Sequence, residues 1–480
     1  MRASSVLRQF AVPKFIALAL TAAVLMMAGC AVEVVSPDNT YTLTTTAFPA
    51  GGGTVSHNPN AASYDAGTRV TVTAEPAEGY EFDYWTVTGG TIADVGDEIT
   101  QVTVNADITM TAHFREVVIT GPDTRWYTSD TTASTYTLFT ADELAGLAQL
   151  VNAGNSFTGR TIVLGDDVDL SWYGQENPGF NGGRGWIPIG RWGLFTREQL
   201  PFRGDFDGGG NIISGLYINS TDTYIGLFGN AGGGTIKNLG LVDVEVIGST
   251  YTGGLGGAIG GAVENCYVTG TVRGGNDVGG LVGSSGGTTA VVRNSYSEAR
   301  VSGGDQVGGL VGNLNSGGTV TNSYATGAVS GNGTNIGGLV GAVGLATVAN
   351  SYAIGAVSGN TNVGGLVGNG SLATSAVVNS AALNPDIESV VSGAGRIASR
   401  LHNSATANGN AAFAGMTRDQ SAHEWENNVR LNGDNITAEE ISDDDGTLGN
   451  RFRASNGWTV EPGKLPGLRG EAIDLPAHLR

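Results

Sequence analysis

Two residue markers recur through the middle of this chain with one common period. A leucine set among glycines stands at Leu227, Leu255, Leu281, Leu310, Leu339 and Leu366, at intervals of 28, 26, 29, 29 and 27 residues. An asparagine stands at Asn238, Asn265, Asn294, Asn322, Asn350 and Asn379, at intervals of 27, 29, 28, 28 and 29. A unit of that length, built of short β-prone runs broken by glycine, buries no core by itself. Stacked as coils of a parallel β-helix, each unit covers the next. The period therefore predicts an all-β fold, a parallel β-helix (solenoid) with N- and C-terminal caps. Charged residues are sparse in the coils, as expected where identical positions stack and like charges would face each other. The 78 glycines follow no Gly-X-Y rule, which excludes collagen, and 40% apolar content excludes a disordered linker. With 24 basic against 44 acidic residues the net charge is −20, which repels phosphate backbones and excludes nucleic acid as a partner.

The glycine-leucine tetrads, Gly226-Leu227-Phe228-Gly229 through Gly365-Leu366-Val367-Gly368, resemble GLUG motifs. They place the repeat β-helix at 219–385. The flanks read as the caps a solenoid needs to hide its open edges. The first, 133–218, opens with Thr140-Ala141-Asp142-Glu143, a capping box ahead of a helix that puts Leu144, Leu147, Ala148 and Val151 on one face. The second, 386–480, carries Trp458-Thr459-Val460 and Gly463-Lys464-Leu465-Pro466-Gly467-Leu468, similar to the segment that usually closes such repeats.

Ahead of the solenoid, residues 41–116 read as short alternating strands. Gly51-Gly52-Gly53-Thr54-Val55, Pro76-Ala77-Glu78-Gly79-Tyr80-Glu81-Phe82 and Trp85 resemble a divergent internalin-type B repeat, with Gly89 to Glu98 as an insertion. That resemblance implies a stalk or spacer and makes Trp85 a core residue. A linker, 117–132, follows. At the amino terminus a basic start and a short apolar run end in Leu25-Met26-Met27-Ala28-Gly29-Cys30, which resembles the lipobox of bacterial lipoproteins. The resemblance makes 1–29 a signal peptide, Cys30 the lipidation site and 30–40 a lipidated tether. Multiple acyl chains at Cys30 anchor stably where one does not. Ala31, in place of aspartate, points to the outer membrane and a surface-exposed, lipid-anchored protein of the cell envelope.

Parallel β-helices also host polysaccharide lyases and glycosidases, so a carbohydrate-active enzyme is the alternative function. Its chemistry wants two carboxylates within roughly 5–9.5 Å, or a base with acidic metal ligands. Asp277 and Asp305 sit in the turn before Gly-Gly-Leu, where Asn335 and Asn362 take their place, a pattern of turns and not of catalysis. Asp205 and Asp207 read as structural, and Asp443-Asp444-Asp445-Gly446 as a solvated acidic loop without an EF-hand register. The IgA-specific metallopeptidases resemble this chain in their GLUG repeats. However, His423-Glu424-Trp425-Glu426-Asn427 has asparagine where a zinc site needs its second histidine. His57 and His113 are isolated, and Cys266 reads as a small packed residue. The expectation is a non-enzymatic adhesion or binding protein with no catalytic residue, metal or cofactor, and a glycan or extracellular protein as ligand.

One residue column carries a site prediction. The first position after each asparagine holds Leu239, Cys266, Ser295, Ser323, Ser351 and Ser380; the third holds Leu241, Val268, Ser297, Ala325, Ala353 and Ala382. Small and apolar, these should point inward. Between them Tyr267, Tyr296, Tyr324 and Tyr352 should then point outward in register, about 4.8 Å apart. Such a ladder either rigidifies the sheet or offers a flat aromatic strip to sugar rings or a protein partner. The asparagines should sit at a corner as an amide ladder.

Overall fold

The computed structural model describes residues 39–77, 80–116, 121–174, 176–177, 179–192, 199–421, 423, 425 and 428–480. The signal segment 1–29 and Cys30 lie outside the described residues. Among the described residues no helix is long and apolar enough to cross a membrane. The chain divides into two compact units, 1–118 and 119–480.

The first unit holds two three-stranded sheets. In one, Ile108–Glu116 pairs parallel with Leu43–Phe48 and antiparallel with Tyr80–Thr88. In the other, Thr68–Pro76 lies antiparallel between Gly53–Asn58 and Ile99–Val104. Strand alternation buries Val70, Val72 and Ala74 from one sheet and Ile108, Met110 and Ala112 from the other. Trp85 is in this core as expected, and the segment 89–98 is what fixes it. Its indole N–H donates to the Asp97 carbonyl (2.8 Å) and its backbone N–H to that of Val95 (2.8 Å).

The second unit is a parallel β-solenoid of about nine turns between residues 135 and 418. Three parallel sheets of ten, twenty and seven described strands form its walls. In the ten-stranded sheet the middle residue of each short strand points inward. These residues pair in one column from Ile162 through Phe206, Ile236, Val263, Val292, Val320 and Val348 to Val377. All eight are buried. Coils of this kind run beyond 219–385 on both sides, into both flanks. On the N-terminal side Thr135–Leu138, Thr161–Leu164 and Asp205–Asp207 already stack in register. On the C-terminal side Asp386–Gly395, Ala398–Leu401 and Thr406–Asn408 continue it. The helix Ala141–Asn152 forms between the first two coils, with Thr140 and Glu143 as a reciprocal capping box.

The glycine-leucine tetrad is a corner whose glycines are demanded by distance. A Cβ on Gly308 would lie 2.0 Å from the carbonyl oxygen of Val311, and one on Gly309 would lie 2.2 Å from that of Gly338 in the next coil. Leu310 and its column mates are fully buried behind this corner. After Asp434–Ile436 the chain leaves the helical path. Residues 437–480, a strap with the short helix Ala438–Ser442 and the hairpin of Lys464–Leu465 with Ile473–Asp474, run across the outside of the twenty-stranded sheet.

Candidate functional site

The asparagine column makes the corner that sets up everything beside it. Asn238, Asn265, Asn294, Asn322, Asn350 and Asn379 all have φ between 48° and 55°, the left-handed region that asparagine tolerates better than most residues. That turn tips the next backbone N–H into the solenoid interior, where it needs an acceptor. The serine one coil on supplies it. Ser295 N–H donates to Ser323 Oγ (3.3 Å), Ser323 N–H to Ser351 Oγ (3.2 Å) and Ser351 N–H to Ser380 Oγ (3.2 Å). Each hydroxyl in turn donates to the carbonyl two residues before it, at 2.7–2.8 Å. The positions expected to be merely small therefore form a closed relay of buried hydrogen bonds, legible only once the corner geometry is known. Cys266 joins it through its N–H to Ser295 Oγ (3.1 Å), and burial pushes its thiol up to about 12.

The tyrosine ladder forms as spaced. Ring centroids are 5.0 Å apart from Tyr267 to Tyr296, 4.7 Å to Tyr324 and 5.1 Å to Tyr352, with planes within 9° of parallel. It begins at Tyr267 because the preceding column residue is Gly240, where a Cβ would meet the Tyr267 ring at 2.4 Å. The expectation of an open aromatic strip fails, however. Tyr324 and Tyr352 are 3% and 0% exposed, because the strap lies on them. Trp458 packs 6.2 Å from Tyr324 and 5.7 Å from Tyr352, and Phe452 meets Tyr352 edge-on. The Tyr352 hydroxyl donates to the Pro466 carbonyl (2.5 Å). At the other end the Arg469 guanidinium sits over Tyr267 (5.0 Å to the centroid) and donates to the Asn265 carbonyl (3.1 Å). Burial raises the phenol pKa values of Tyr296, Tyr324 and Tyr352 well above their ordinary range, so none ionises near neutrality. Tyr267 and Tyr296 stay half-buried. The ladder is the seat of the protein's own strap.

The strap leaves the asparagine corner open. One cleft of about 520 Å³ lies between Asn350, Asn379 and the strap residues Arg451, Arg453 and Ser455. A second, of about 710 Å³, lies between Asn238, Asn265, Asn294 and Arg469. The amide ladder is partial: Asn238 Nδ2 donates to Asp207 Oδ1 (2.9 Å), Asn265 Nδ2 to Asn238 Oδ1 (3.0 Å), and Asn322 Nδ2 to the Asn456 carbonyl (3.1 Å). Burial works against ionisation of Asp207, yet Asn238, the Gly209 N–H and Lys237 together hold its carboxyl below the usual range. The clefts thus combine amide groups at coil spacing with three guanidinium groups.

Several acids singled out in the sequence accept from backbone N–H groups. Asp205 accepts from the Thr235 N–H (2.8 Å), and Asp444 from those of Leu448 (2.7 Å) and Gly449 (2.8 Å). The acidic loop is therefore folded around its own carboxylates and not simply solvated. Asp277 belongs to a left-handed column with Tyr224, Tyr251, Gln306, Asn335 and Asn362, so Gln306 holds the place the sequence reading gave to Asp305. Asp305 instead accepts from the Thr334 N–H (2.6 Å). Among the described residues no three His, Cys, Asp or Glu side chains converge as a metal site.

Against known proteins, the divergent InlB B-repeat domain matches residues 41–118 and the GLUG motif matches residues 248–273. The chain is a β-solenoid protein carrying both. Halomucin of Haloquadratum walsbyi is 36% identical over 155 residues, 32% of this chain and 2% of that protein. A protein of Evansella cellulosilytica, named as a Gly-rich membrane protein, is 36% identical over 194 residues, 32% of this chain and 21% of that one. The chain thus spans a minor part of either relative. A solved structure named for an immunoglobulin A1 protease of Bacteroides ovatus aligns at 22% identity and a TM-score of 0.46, over 71% of this chain and 91% of that one. A second, named IgA1 protease, aligns at 15% identity and a TM-score of 0.45, over 92% of this chain and 34% of that one.

Proposed function

We propose that this chain is a bacterial cell-envelope protein, lipid-anchored at Cys30 on the outer-membrane surface, that binds a glycan through its solenoid in an adhesive role. The asparagine corner carries the binding reading. It offers two open clefts, of about 520 and 710 Å³, where amide side chains repeat at coil spacing beside Arg451, Arg453 and Arg469. Amides and guanidinium groups suit the hydroxyl and acidic groups of an extended saccharide, and the spacing suits a polymer more than a compact ligand. A protein partner is the second reading for the same clefts. The lipobox-like Leu25 to Cys30 supports the anchor, as does a relative named as a membrane protein.

The test uses the full chain carrying Cys30→Ala on glycan and matrix-protein arrays. Retention on extended polysaccharides is expected, weakened at least tenfold by Arg453→Glu. Retention on neither array overturns the binding reading, and turnover of any polysaccharide moves the protein to the enzyme class. In detergent phase separation the natural chain should enter the detergent phase and Cys30→Ala the aqueous phase. A variant that stays with detergent overturns the anchor.

A further inference from the structure

One side chain breaks the column that the glycine-leucine corner enforces. Gly364 pairs with Gly395 and Val367 with Ala398, so Arg396 occupies the slot filled in earlier coils by Gly280, Gly309, Gly338 and Gly365. A Cβ in that slot faces the solenoid interior: at Gly365 it would meet Ala382 Cβ at 3.1 Å and Asn384 Oδ1 at 2.6 Å. Arginine is possible here because the regular stack is ending. In place of a further glycine corner, Asn432 Oδ1 accepts from the Arg396 backbone N–H (3.2 Å), and the Leu431 carbonyl accepts from that of Ile397 (2.8 Å).

The result is a buried cation with no answering charge among the described residues. Arg396 is 5% exposed. Its Nε–H has no acceptor, and the guanidinium makes one long hydrogen bond, from Nη1 to the Phe413 carbonyl at 3.4 Å. No carboxylate among the described residues lies within ion-pair distance, in a protein of net charge −20. Buried charges are normally paired, since desolvation penalises a lone one. Burial pulls the guanidinium pKa down, but arginine keeps its proton near neutrality. Arg396 also lines a cleft of about 530 Å³, large enough for a sugar unit.

We propose that Arg396 anchors the carboxylate of an acidic sugar, a uronic acid unit of a polysaccharide, in this cleft. A planar guanidinium with vacant donors meets a carboxylate through two parallel hydrogen bonds. The rest of the lining fits a sugar better than a free anion. Trp425 is half-exposed, its ring held by Nε1–H donation to the Met416 carbonyl (3.2 Å), and His423 packs edge-on against it at 4.9 Å. An aromatic face takes the C–H side of a pyranose, and the exposed amides of Asn428 and Asn435 take its hydroxyls. Asp434 also lines the cleft and is exposed, so it sits at the solvent edge and selects against a second negative group there.

This site rests on the glycan-binding reading and narrows it to an acidic polymer. Calorimetric titration of the full Cys30→Ala chain with D-glucuronate and with D-glucose tests it. Glucuronate should bind at least tenfold more tightly, about 1.4 kcal/mol. Arg396→Met should abolish that preference while the melting temperature holds or rises, because an apolar replacement removes the desolvation cost of a lone charge. Should Arg396→Met fail to fold, Asn435→Asp, at an exposed position, should weaken glucuronate binding tenfold by repulsion. Equal binding of glucuronate and glucose, or none of either, overturns the site. Neutral polysaccharides retained on the array alongside that result leave the broader reading standing. Tighter binding of acetyl-alanyl-alanine than of both glucuronate and its own amide assigns the cleft to a peptide carboxylate and overturns the sugar.

Discussion

The seating of the strap makes the four ladder tyrosines unequal, and removal of one oxygen at a time exposes the difference. Tyr352→Phe keeps the stacked ring and deletes the hydroxyl that donates to the buried Pro466 carbonyl at 2.5 Å. A buried carbonyl stripped of its donor costs about 1–3 kcal/mol, because water cannot replace the lost partner. Tyr267→Phe removes a hydroxyl with no acceptor among the described residues, on a half-buried ring, so its cost is near zero. The cost should appear as local opening of the strap, not as global unfolding. Hydrogen exchange reads it at the amides of Thr459 and Gly467, which bond to each other's carbonyls at 2.9 Å. In Tyr352→Phe their exchange should accelerate about 5- to 150-fold, the same 1–3 kcal/mol expressed as a ratio. In Tyr267→Phe it should not change. Equal acceleration in both variants, or none in Tyr352→Phe, refutes the claim that the ladder seats the strap.

Three further outcomes follow from the coils. Gly309→Ala should cost about 3 kcal/mol or more, since its Cβ meets a backbone oxygen at 2.2 Å, and Leu310→Ala about 2–5 kcal/mol for the cavity; urea unfolding compares them with the natural chain. Asp277→Asn should stabilise by about 1 kcal/mol at pH 7. Burial raises the Asp277 pKa, so the folded state binds more protons than the unfolded one above pH ~3.9, and stability is lost as pH rises from there through the folded pKa. The advantage of the asparagine should therefore vanish near pH 3, which melting curves across pH will check. In the Cys30→Ala chain, Cys266 should resist thiol reagents at pH 8 until urea is added, given its full burial and a pKa near 12; prompt labelling in native buffer overturns that reading.

The elements most legible in the sequence are those fixed by stacking. A coil repeats its neighbour's environment, so the leucine column, the asparagine corner and the parallel rings of Tyr267 to Tyr352 could all be read from period alone. What period cannot show is contact between the repeat and non-repeating chain. Tyr352 and Pro466 are 114 residues apart, and nothing in the composition of 437–480 says which wall it covers. The outer coils were hidden for a related reason. They fill the same inward slots with Phe206 and the same corner slot with Arg396, so their residues differ while their backbone path does not. The interior serines were placed correctly and understood too little, because their hydrogen bonds depend on where a positive φ sends the next N–H.

The strap is fastened at both ends of the ladder, by Tyr352 to Pro466 and by Arg469 to Asn265. It therefore works as a gauge laid along the stack. Arrays of repeats ordinarily lengthen and shorten through unequal recombination, since every internal unit meets the same two neighbours. Here that freedom is unequally distributed. A unit gained or lost before Tyr267 leaves both fastenings at their distance. One gained or lost between Tyr267 and Tyr352 moves them apart or together by a full strand spacing, about 4.8 Å. Arg469 stands only three residues after Pro466, in the turn of the hairpin, which leaves no slack for that step. Repeat number should therefore vary, within a lineage of such chains, on the N-terminal side of the ladder, while the segment under the strap keeps a fixed count.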